Sequence, residues 1–220
     1  MEQGITFQSK NKIFQSMNEH LLLDEKPSGY FESLNASKIY TEYPFTMLGR
    51  LRETQQSPIH HPEGNVWNHT MLVIDEAAKV KSKSSDSRAF MWAALLHDIG
   101  KPDTTRIRKG KITSYEHDKL GAKMSKEFLE QFKSNVENNV DDKFIEKVAA
   151  LVRWHMQILF VVKSLPFADI NRMKEQAPVC DIALLGLCDR LGRTGANREE
   201  EEENIRIFLE KTQNVCKVNQ

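Results

Sequence analysis

The most constraining feature of this sequence is residues 93–102, AALLHDIGKP, where an apolar run ends in an adjacent histidine and aspartate. The run predicts a buried helix, with Gly100 in a left-handed cap and Pro102 preventing the helix from resuming. His97 and Asp98 would point roughly 100° apart on a helix, so they cannot chelate an ion as an i, i+4 pair does. They can instead contact different sides of one metal centre, or Asp98 can bridge two metal ions. Either arrangement requires further ligands from other helices.

The rest of the chain predicts an all-α fold, a bundle of several helices. We divide the chain into an N-terminal segment, residues 1–28, which is a tail or a short helix, and a main domain, residues 29–220. Two stretches are expected to lack helix. Residues 101–115 are predicted to be a basic loop with a turn at Gly110, and residues 157–166 an extended segment or a packed loop. The last helix is expected to run from Glu199 to Lys217.

Six polar side chains fall on or beside the apolar faces of different predicted helices. A lone histidine on such a face is more often a packed core residue, but buried polar groups are costly unless they are paired. One shared metal site satisfies all six, and imidazole and carboxylate without thiolate suit Mn, Fe, Co, Ni or Zn. Six ligands exceed what one catalytic ion needs, so two ions bridged by Asp98 fit better than one. The predicted ligands are His69, His97, Asp98, His117, His155 and Asp189.

Several charged side chains near these ligands are candidates for binding a phosphate. Lys101 follows the His-Asp pair by one helical turn and can act as a catalytic residue that neutralises developing phosphate charge. Its alternative role is a solvated lysine that favours the helix dipole. Arg193, close to the last predicted ligand, is a second phosphate-binding candidate. Glu63 and His61 precede the first metal helix and can orient water or substrate, although such loop residues are commonly only solvated.

The charge balance excludes little about function. Basic and acidic residues number 31 each, so the net charge is zero and nothing global indicates binding to nucleic acid or to an anionic membrane. Local basic patches remain compatible with this balance. Four basic residues crowd the predicted loop beside the site, namely Arg106, Arg108, Lys109 and Lys111.

Cysteine content and hydropathy predict a cytoplasmic protein. The three cysteines, Cys180, Cys188 and Cys216, lack metal-site spacing and are expected to be reduced thiols. The chain begins with a polar stretch, so a signal peptide is not expected. No apolar run approaches the ~20 residues needed to span a bilayer, and a membrane partner is therefore not expected.

The predicted ligands are similar in order and spacing to the His…His-Asp…His…His…Asp pattern of the HD superfamily of metal-dependent phosphohydrolases. The flanking residues resemble the HD domain attached to bacterial CCA-adding tRNA nucleotidyltransferases, over roughly residues 30–196. The stretches that carry the resemblance are HHPEGNVWNHT at 60–70, HDIGKP at 97–102, EHDKLGA at 116–122, RWHM at 153–156 and CDRLGRTGA at 188–196. This resemblance implies an HD-domain helical bundle.

The resemblance also implies how the ligands divide between two ions. The first histidine, the His-Asp pair and the last aspartate hold one ion in that family, which corresponds here to His69, His97, Asp98 and Asp189. In dinuclear members the bridging aspartate and the two intermediate histidines hold the second ion, which corresponds to Asp98, His117 and His155.

The function implied by the resemblance is hydrolysis of phosphate mono- or diesters by a metal-activated water, with Asp98 as a catalytic residue that holds both ions. The expected substrate is a small phosphorylated molecule, above all a nucleotide such as a 2′,3′-cyclic diester. Two alternatives stay open: a di-iron oxygenase on the same fold, and a non-catalytic nucleotide-binding sensor. Binding of tRNA is not expected, because these 220 residues contain no nucleotidyltransferase domain. The oligomeric state stays open.

Overall fold

The computed structural model describes residues 7–214 and 216, and helices dominate its regular structure. The predicted all-α bundle is therefore confirmed. Its helices are α1 (Phe7–Leu23), α2 (Ser28–Ser33), α3 (Thr46–Gly49), α4 (Val66–Val80), α5 (Ser87–Leu96), α6 (Lys101–Thr104), α7 (His117–Glu130), α8 (Asp142–Trp154), α9 (Gln157–Val162), α10 (Ile170–Gln176), α11 (Val179–Leu191) and α12 (Arg198–Lys211). A two-stranded antiparallel hairpin, β1 (Thr105–Arg108) and β2 (Lys111–Ser114), lies between α6 and α7. Short 3₁₀ turns occupy parts of the connections.

Helix α5 lies at the centre of the bundle because, from Ala89 onward, it is apolar on every side. All residues from Ala89 to Leu96 are buried, and α5 packs against α1, α4, α8 and α11. A helix without a polar face has no surface to turn toward water, so burial on all sides is its stable placement. The side chain of Asp86 begins the helix by accepting a hydrogen bond from the amide of Ala89 at 3.1 Å.

Two of the helices that pack on α5, α4 and α8, are amphipathic and begin at side-chain caps. Asn65 caps α4 by accepting from the amide of Asn68 at 2.9 Å, and Asp141 caps α8 by accepting from Phe144 at 2.7 Å. Helix α7 packs along α8, and α11 packs against α4. These contacts bring the end of α5 and one end of each neighbouring helix to the same part of the bundle.

The N-terminal segment contributes directly to the core. Helix α1 has 17 residues, longer than the short helix predicted there, and its side chains Phe14, Met17 and Leu21 are fully buried. The Phe14 ring stacks on Trp92 of α5 with centroids 4.7 Å apart. Residues 1–6 of this segment lie outside the described residues. The division of the chain at residue 28 stays a prediction.

The expectation for Gly100 and Pro102 is wrong in two respects. Gly100 is right-handed, with φ −81°, and α6 begins directly after it with Pro102 in its first turn. A proline is compatible with a first turn because no intrahelical bond needs its missing N–H. Glycine is needed at position 100 for a different reason: a Cβ there would lie 2.3 Å from the carbonyl oxygen of His117 and 2.6 Å from the amide nitrogen of Gly121. The residue therefore permits close approach of α7 to the end of α5.

Two stretches expected to lack helix are more regular than predicted. Residues 101–115 form α6 and the β1–β2 hairpin rather than a loop, with Gly110 at the turn with φ +73°. Residues 157–162 form α9, whose Ile158 and Val161 are buried, although the β-branched composition favoured an extended segment. Packing of α9 against α11 and α12 outweighs that weak local preference.

The C-terminal region corrects the expectation for the cysteines. Cys180, next to the start of α11, forms a disulfide with Cys216, while Cys188 is a buried free thiol. Reduced thiols were therefore the wrong prediction for two of the three, and the cytoplasmic location stays a prediction. Helix α12 ends at Lys211, and its predicted end at Lys217 lies outside the described residues. Across residues 7–214 and 216, none of the helices combines the length and hydropathy needed to cross a bilayer.

Candidate metal centre

The six predicted ligands come from five helices and meet near helix ends. His69 lies in the first turns of α4, whereas His117 is the first residue of α7. His97 and His155 directly follow the last residues of α5 and α8. Helix ends leave backbone carbonyls or amides without intrahelical partners, so side chains there can bond to backbone as well as to each other. Asp98 follows His97, and Asp189 lies in the last turn of α11.

Asp98 is the centre of the cluster. Its Oδ1 lies 3.3 Å from Nε2 of His117 and 4.0 Å from Nε2 of His155. Its Oδ2 lies 3.2 Å from Nε2 of His97 and 2.7 Å from Nζ of Lys101. All five side chains are buried, so Asp98 contacts three imidazoles and one ammonium out of bulk water.

His69 and Asp189 form the adjoining part of the site. Nε2 of His69 lies 3.0 Å from Oδ1 of Asp189, and the rings of His69 and His97 are in edge contact with centroids 5.4 Å apart. Arg193, one turn after Asp189, brings Nη2 within 3.6 Å of the same carboxylate oxygen. The structure therefore brings all six predicted ligands together, with Asp189 joined through His69.

Backbone carbonyls orient three of the four histidines. Nδ1 of His97 donates to the carbonyl of residue 94 at 2.8 Å, Nδ1 of His117 to that of residue 114 at 2.6 Å, and Nδ1 of His155 to that of residue 152 at 2.7 Å. Each partner lies three residues earlier in the chain. Because a carbonyl only accepts, the proton of each neutral ring sits on Nδ1 and the Nε2 lone pair is directed into the cluster.

A carboxylate orients the fourth histidine. Oε1 of Glu63 lies 2.9 Å from Nδ1 of His69 and 2.8 Å from Nδ1 of His61. The predicted substrate-binding pair His61 and Glu63 therefore contacts the first ligand, on the ring nitrogen opposite to the one that contacts Asp189. A carboxylate behind a metal-binding histidine fixes its ring and raises its basicity.

The inward-facing atoms form an arrangement that a bound metal ion would satisfy. Nε2 of His117 and Nε2 of His155 lie 3.2 Å apart, although both carry lone pairs when Nδ1 holds the proton. Nε2 of His97 is buried without a hydrogen-bond partner among the described residues and faces the Asp98 carboxylate. Such buried acceptors repel one another unless a cation lies between them. The donor set, imidazole nitrogen and carboxylate oxygen, fits a divalent transition metal.

Burial sets the protonation states that metal binding requires. Burial lowers the pKa of His155 to about 4, and the neighbouring His117 adds to this effect. Burial likewise lowers the pKa of His117, against the opposing attraction of Asp98. Burial alone would raise the pKa of Asp98, but Lys101 and the adjacent imidazoles hold it well below its usual range. Burial therefore favours neutral imidazoles at His117 and His155 beside an ionised Asp98 carboxylate, which is the form that coordinates a metal.

The two carboxylates around His69 also remain ionised. Burial opposes ionisation of Asp189, but Arg193 and His69 hold its pKa well below the ordinary value. Burial likewise opposes ionisation of Glu63, yet its hydrogen bond from His69 lowers its pKa to about 2. For His69 itself the two carboxylates outweigh the effect of burial and raise the pKa.

The potential ligand atoms fall into groups of three that lie within 4.8 Å of one another, and each group could hold one metal ion. One set joins His69, His97 and Asp98, and another joins Asp98, His117 and His155. A third set, His61, Glu63 and His69, lies on the other side of the first histidine. The first two sets share Asp98, so this carboxylate is placed where a bridge between two ions would be.

Lys101 is buried rather than solvated, and its partners include Gln56, which the sequence pattern does not single out. Its ammonium contacts Asp98 and donates to Oε1 of Gln56 at 2.6 Å. The only sequence signal for Gln56 is its place in the polar loop before the first metal helix. Asp118, in the second His-Asp dipeptide, pairs with Arg153 and is not part of the metal-binding sets.

Comparison with known proteins identifies the class. The HD domain family matches residues 66–166, which carry His69, the His97-Asp98 pair, His117 and His155. Residues 66–166 of this chain therefore form an HD domain, which is a helical fold.

The curated relatives that this chain matches are longer proteins. The chain is 30% identical over 186 residues to the multifunctional CCA protein of Actinobacillus pleuropneumoniae, which covers 82% of this chain and 44% of that protein. It is 37% identical over 87 residues to the multifunctional CCA protein of Aromatoleum aromaticum, covering 38% of this chain and 19% of the relative. It is 28% identical over 159 residues to the A-adding tRNA nucleotidyltransferase of Deinococcus radiodurans, covering 70% of this chain and 34% of the relative. The chain thus spans less than half the length of these relatives.

Proposed function

We propose that this protein is a metal-dependent phosphohydrolase that hydrolyses phosphate mono- or diesters of nucleotides. The observation that carries the proposal is the buried Asp98 carboxylate shared by two sets of histidines whose Nε2 atoms face inward. A purely structural aspartate would be surrounded by hydrogen-bond donors, whereas Asp98 has one such donor, Lys101, and three imidazoles whose Nε2 lone pairs face inward. The relatives are named for CCA and tRNA nucleotidyl transfer, but the shared region is a minor part of their length, so only HD-domain chemistry is carried over.

The predicted ligands would divide between two ions that share one carboxylate. His69, His97, Asp98 and Asp189 would hold one ion, and Asp98, His117 and His155 the other. When bound, Mn, Fe, Co, Ni or Zn lowers the pKa of a coordinated water toward neutrality and polarises phosphate oxygens. Glu63 acts as a positioning residue, because it holds the His69 ring by Nδ1 and leaves Nε2 for the site.

The chain supplies two cations for the phosphate. The Lys101 ammonium has three N–H donors, of which Asp98 and Gln56 take two, so one remains for a phosphate oxygen. Arg193 places a guanidinium beside Asp189. Fixed positive charge at these points stabilises negative charge that develops on the phosphate as the bond to the leaving oxygen breaks.

A substrate panel with matched variants tests the proposal. Purified protein is given Mn, Fe, Co, Ni or Zn together with 2′,3′-cyclic nucleotides, nucleoside monophosphates or a chromogenic phosphate ester. We expect turnover of at least one nucleotide with at least one metal, and its loss in Asp98→Asn. The matched control is Asp103→Asn, because Asp103 is close in sequence but exposed and paired with Arg50.

Three outcomes would overturn the proposal. Folded, metal-loaded protein without turnover of any ester would contradict it directly. Oxygen consumption by the iron form would favour a di-iron oxygenase. Tight nucleotide binding without hydrolysis by metal-loaded protein would favour a sensor.

A further inference from the structure

The β1–β2 hairpin concentrates positive charge on a chain whose net charge is zero. Its ten residues, 105–114, contain four basic side chains and no acidic one, and all four are exposed. Within residues 7–214 and 216, none of the four forms an ion pair, and Asp103 is the carboxylate on which the charge of Arg106 acts. The hairpin therefore carries a net positive charge at the surface.

The strand register places most of that charge on one face. Directly opposite residues in an antiparallel pair share a face, as do residues two apart in a strand. Arg106 is paired with Thr113, and Arg108 with Lys111. Tyr115 follows Thr113 by two residues and so shares their face. We call the face formed by these five residues the basic face. Arg108 and Lys111 are like charges in direct opposition, which destabilises a hairpin unless an anion lies over them.

An aromatic ring lies beside these cations. Tyr115 is 61% exposed, and the guanidinium of Arg108 lies over its ring at 4.7 Å from the centroid. Exposed aromatic rings interleaved with arginine and lysine are typical of surfaces that bind single-stranded nucleic acid, where bases stack on rings and phosphates contact cations. A surface for a simple anion needs no such ring.

The basic face is joined to the metal centre at both ends of the hairpin. Strand β1 begins four residues after Lys101, and the carbonyl of Ser114, the last residue of β2, accepts the hydrogen bond that orients His117. Tyr115 is two residues from His117 in the chain. A nucleic-acid chain bound along the basic face in the direction of Tyr115 would therefore place its end next to the metal centre.

We propose that the basic face binds a single-stranded nucleic acid whose phosphate-bearing end enters the metal centre, so that the substrate is a strand terminus rather than a free nucleotide. This inference rests on the proposed function only for the hydrolysis of the terminal phosphate. Binding of the strand itself follows from the hairpin and can be measured without metal or turnover.

The binding test uses fluorescence anisotropy of the metal-free protein with a labelled RNA of about twelve nucleotides. The variant Arg106→Gln/Arg108→Gln/Lys111→Gln is expected to bind about tenfold more weakly, and the slope of log K against log salt should become shallower by about 2 for three lost contacts. The matched control Lys123→Gln/Lys143→Gln/Lys174→Gln removes three exposed lysines outside the hairpin and should bind as the parent. Because the hairpin variant removes like-charge repulsion, its melting temperature should not fall.

A second pair of variants separates nucleic acid from other polyanions. Tyr115→Ala is expected to weaken RNA binding about tenfold through lost base stacking. Tyr43→Ala, which alters an exposed tyrosine outside the hairpin, should leave binding unchanged. The proposal would be overturned if Arg106→Gln/Arg108→Gln/Lys111→Gln weakens binding to heparin and to anionic vesicles as much as binding to RNA, while Tyr115→Ala leaves RNA binding unchanged. The hairpin would then be a general polyanion surface.

The kinetic test compares two substrates of the same chemistry. For the basic-face variant, the ratio of kcat/KM for an oligonucleotide ending in a 2′,3′-cyclic phosphate to kcat/KM for the cyclic mononucleotide should fall about tenfold. An unchanged ratio, or no RNA binding by the parent at low salt, would refute the proposal. RNA binding through the basic face with no hydrolysis of either substrate would support the binding surface and contradict the proposed phosphohydrolase.

Discussion

Replacing Gly100 with alanine tests whether close contact between the end of α5 and the start of α7 holds the metal centre together. The added Cβ would lie 2.3 Å from the carbonyl oxygen of His117 and 2.6 Å from the amide nitrogen of Gly121. Both are backbone atoms, so rotation of a side chain cannot relieve the overlap. Helix α7 must therefore move away from α5.

The size of the effect follows from these contacts. Overpacking a well-packed interior costs about 1–3 kcal/mol, and two backbone contacts this short place Gly100→Ala at about 3 kcal/mol or more. In a domain of this size the melting temperature should fall by about 6–12 °C. Because α7 carries His117, the same movement draws its Nε2 away from Asp98 and His155, and metal affinity should fall about tenfold.

Thermal unfolding of the metal-free protein and calorimetric titration with Mn or Co measure the two effects separately. The matched control is Gly29→Ala in α2, where an added Cβ meets nothing within 4 Å. That variant should be neutral or more stable by up to about 1 kcal/mol. The reasoning is refuted if Gly100→Ala melts with the parent, or if it is destabilised yet binds metal as tightly as the parent.

Four further predictions address the ligands, the pH dependence and the disulfide. Asp98→Ala should abolish activity and reduce bound metal toward zero by elemental analysis, and parental metal content would contradict a bridging role. His117→Ala should retain one ion per chain and much lower activity, whereas two retained ions would exclude this residue from the second site. The metal-free protein should become less stable as the pH falls from about 6.5 to about 4. The cause is His155, which has a folded pKa of about 4 and stays neutral in the fold while the unfolded chain takes up a proton. Urea denaturation measures this effect, and a midpoint that does not change with pH would contradict it. Cys180→Ser should destabilise the oxidised protein by about 4 kcal/mol, from the loop that the bond to Cys216 closes, and should have no effect when reductant is present; equal stability under oxidising conditions would contradict that pairing.

Several predictions from sequence failed because distant residues decided them. Gly100 carries no local sign that His117 and Gly121 pack against it, and its position after a helix predicts a left-handed cap instead. Pairing of Cys180 with Cys216 depends on α12 returning the chain to the start of α11. These outcomes are properties of packing, and neither local propensity nor residue spacing encodes them.

The hairpin and the contacts of Glu63 were missed for related reasons. The hairpin has exposed charges along both strands and lacks the alternation of apolar and polar residues that marks a half-buried strand. Glu63 was predicted to face water or substrate, whereas it contacts His61 and His69. Its loop position is visible in the sequence, but the direction of its side chain is not.

The sequence by itself determined the helical class and the chemistry of the candidate ligands, because apolar periodicity and residue type are local properties. It also indicated that Asp98 would be central, since His97 and Asp98 are adjacent at a helix end. Only the tertiary structure decided which histidine faces which oxygen, how each ring is oriented and that Lys101 is buried against Asp98. These depend on where five separate helices end relative to one another, and packing of their apolar faces around α5 sets those positions.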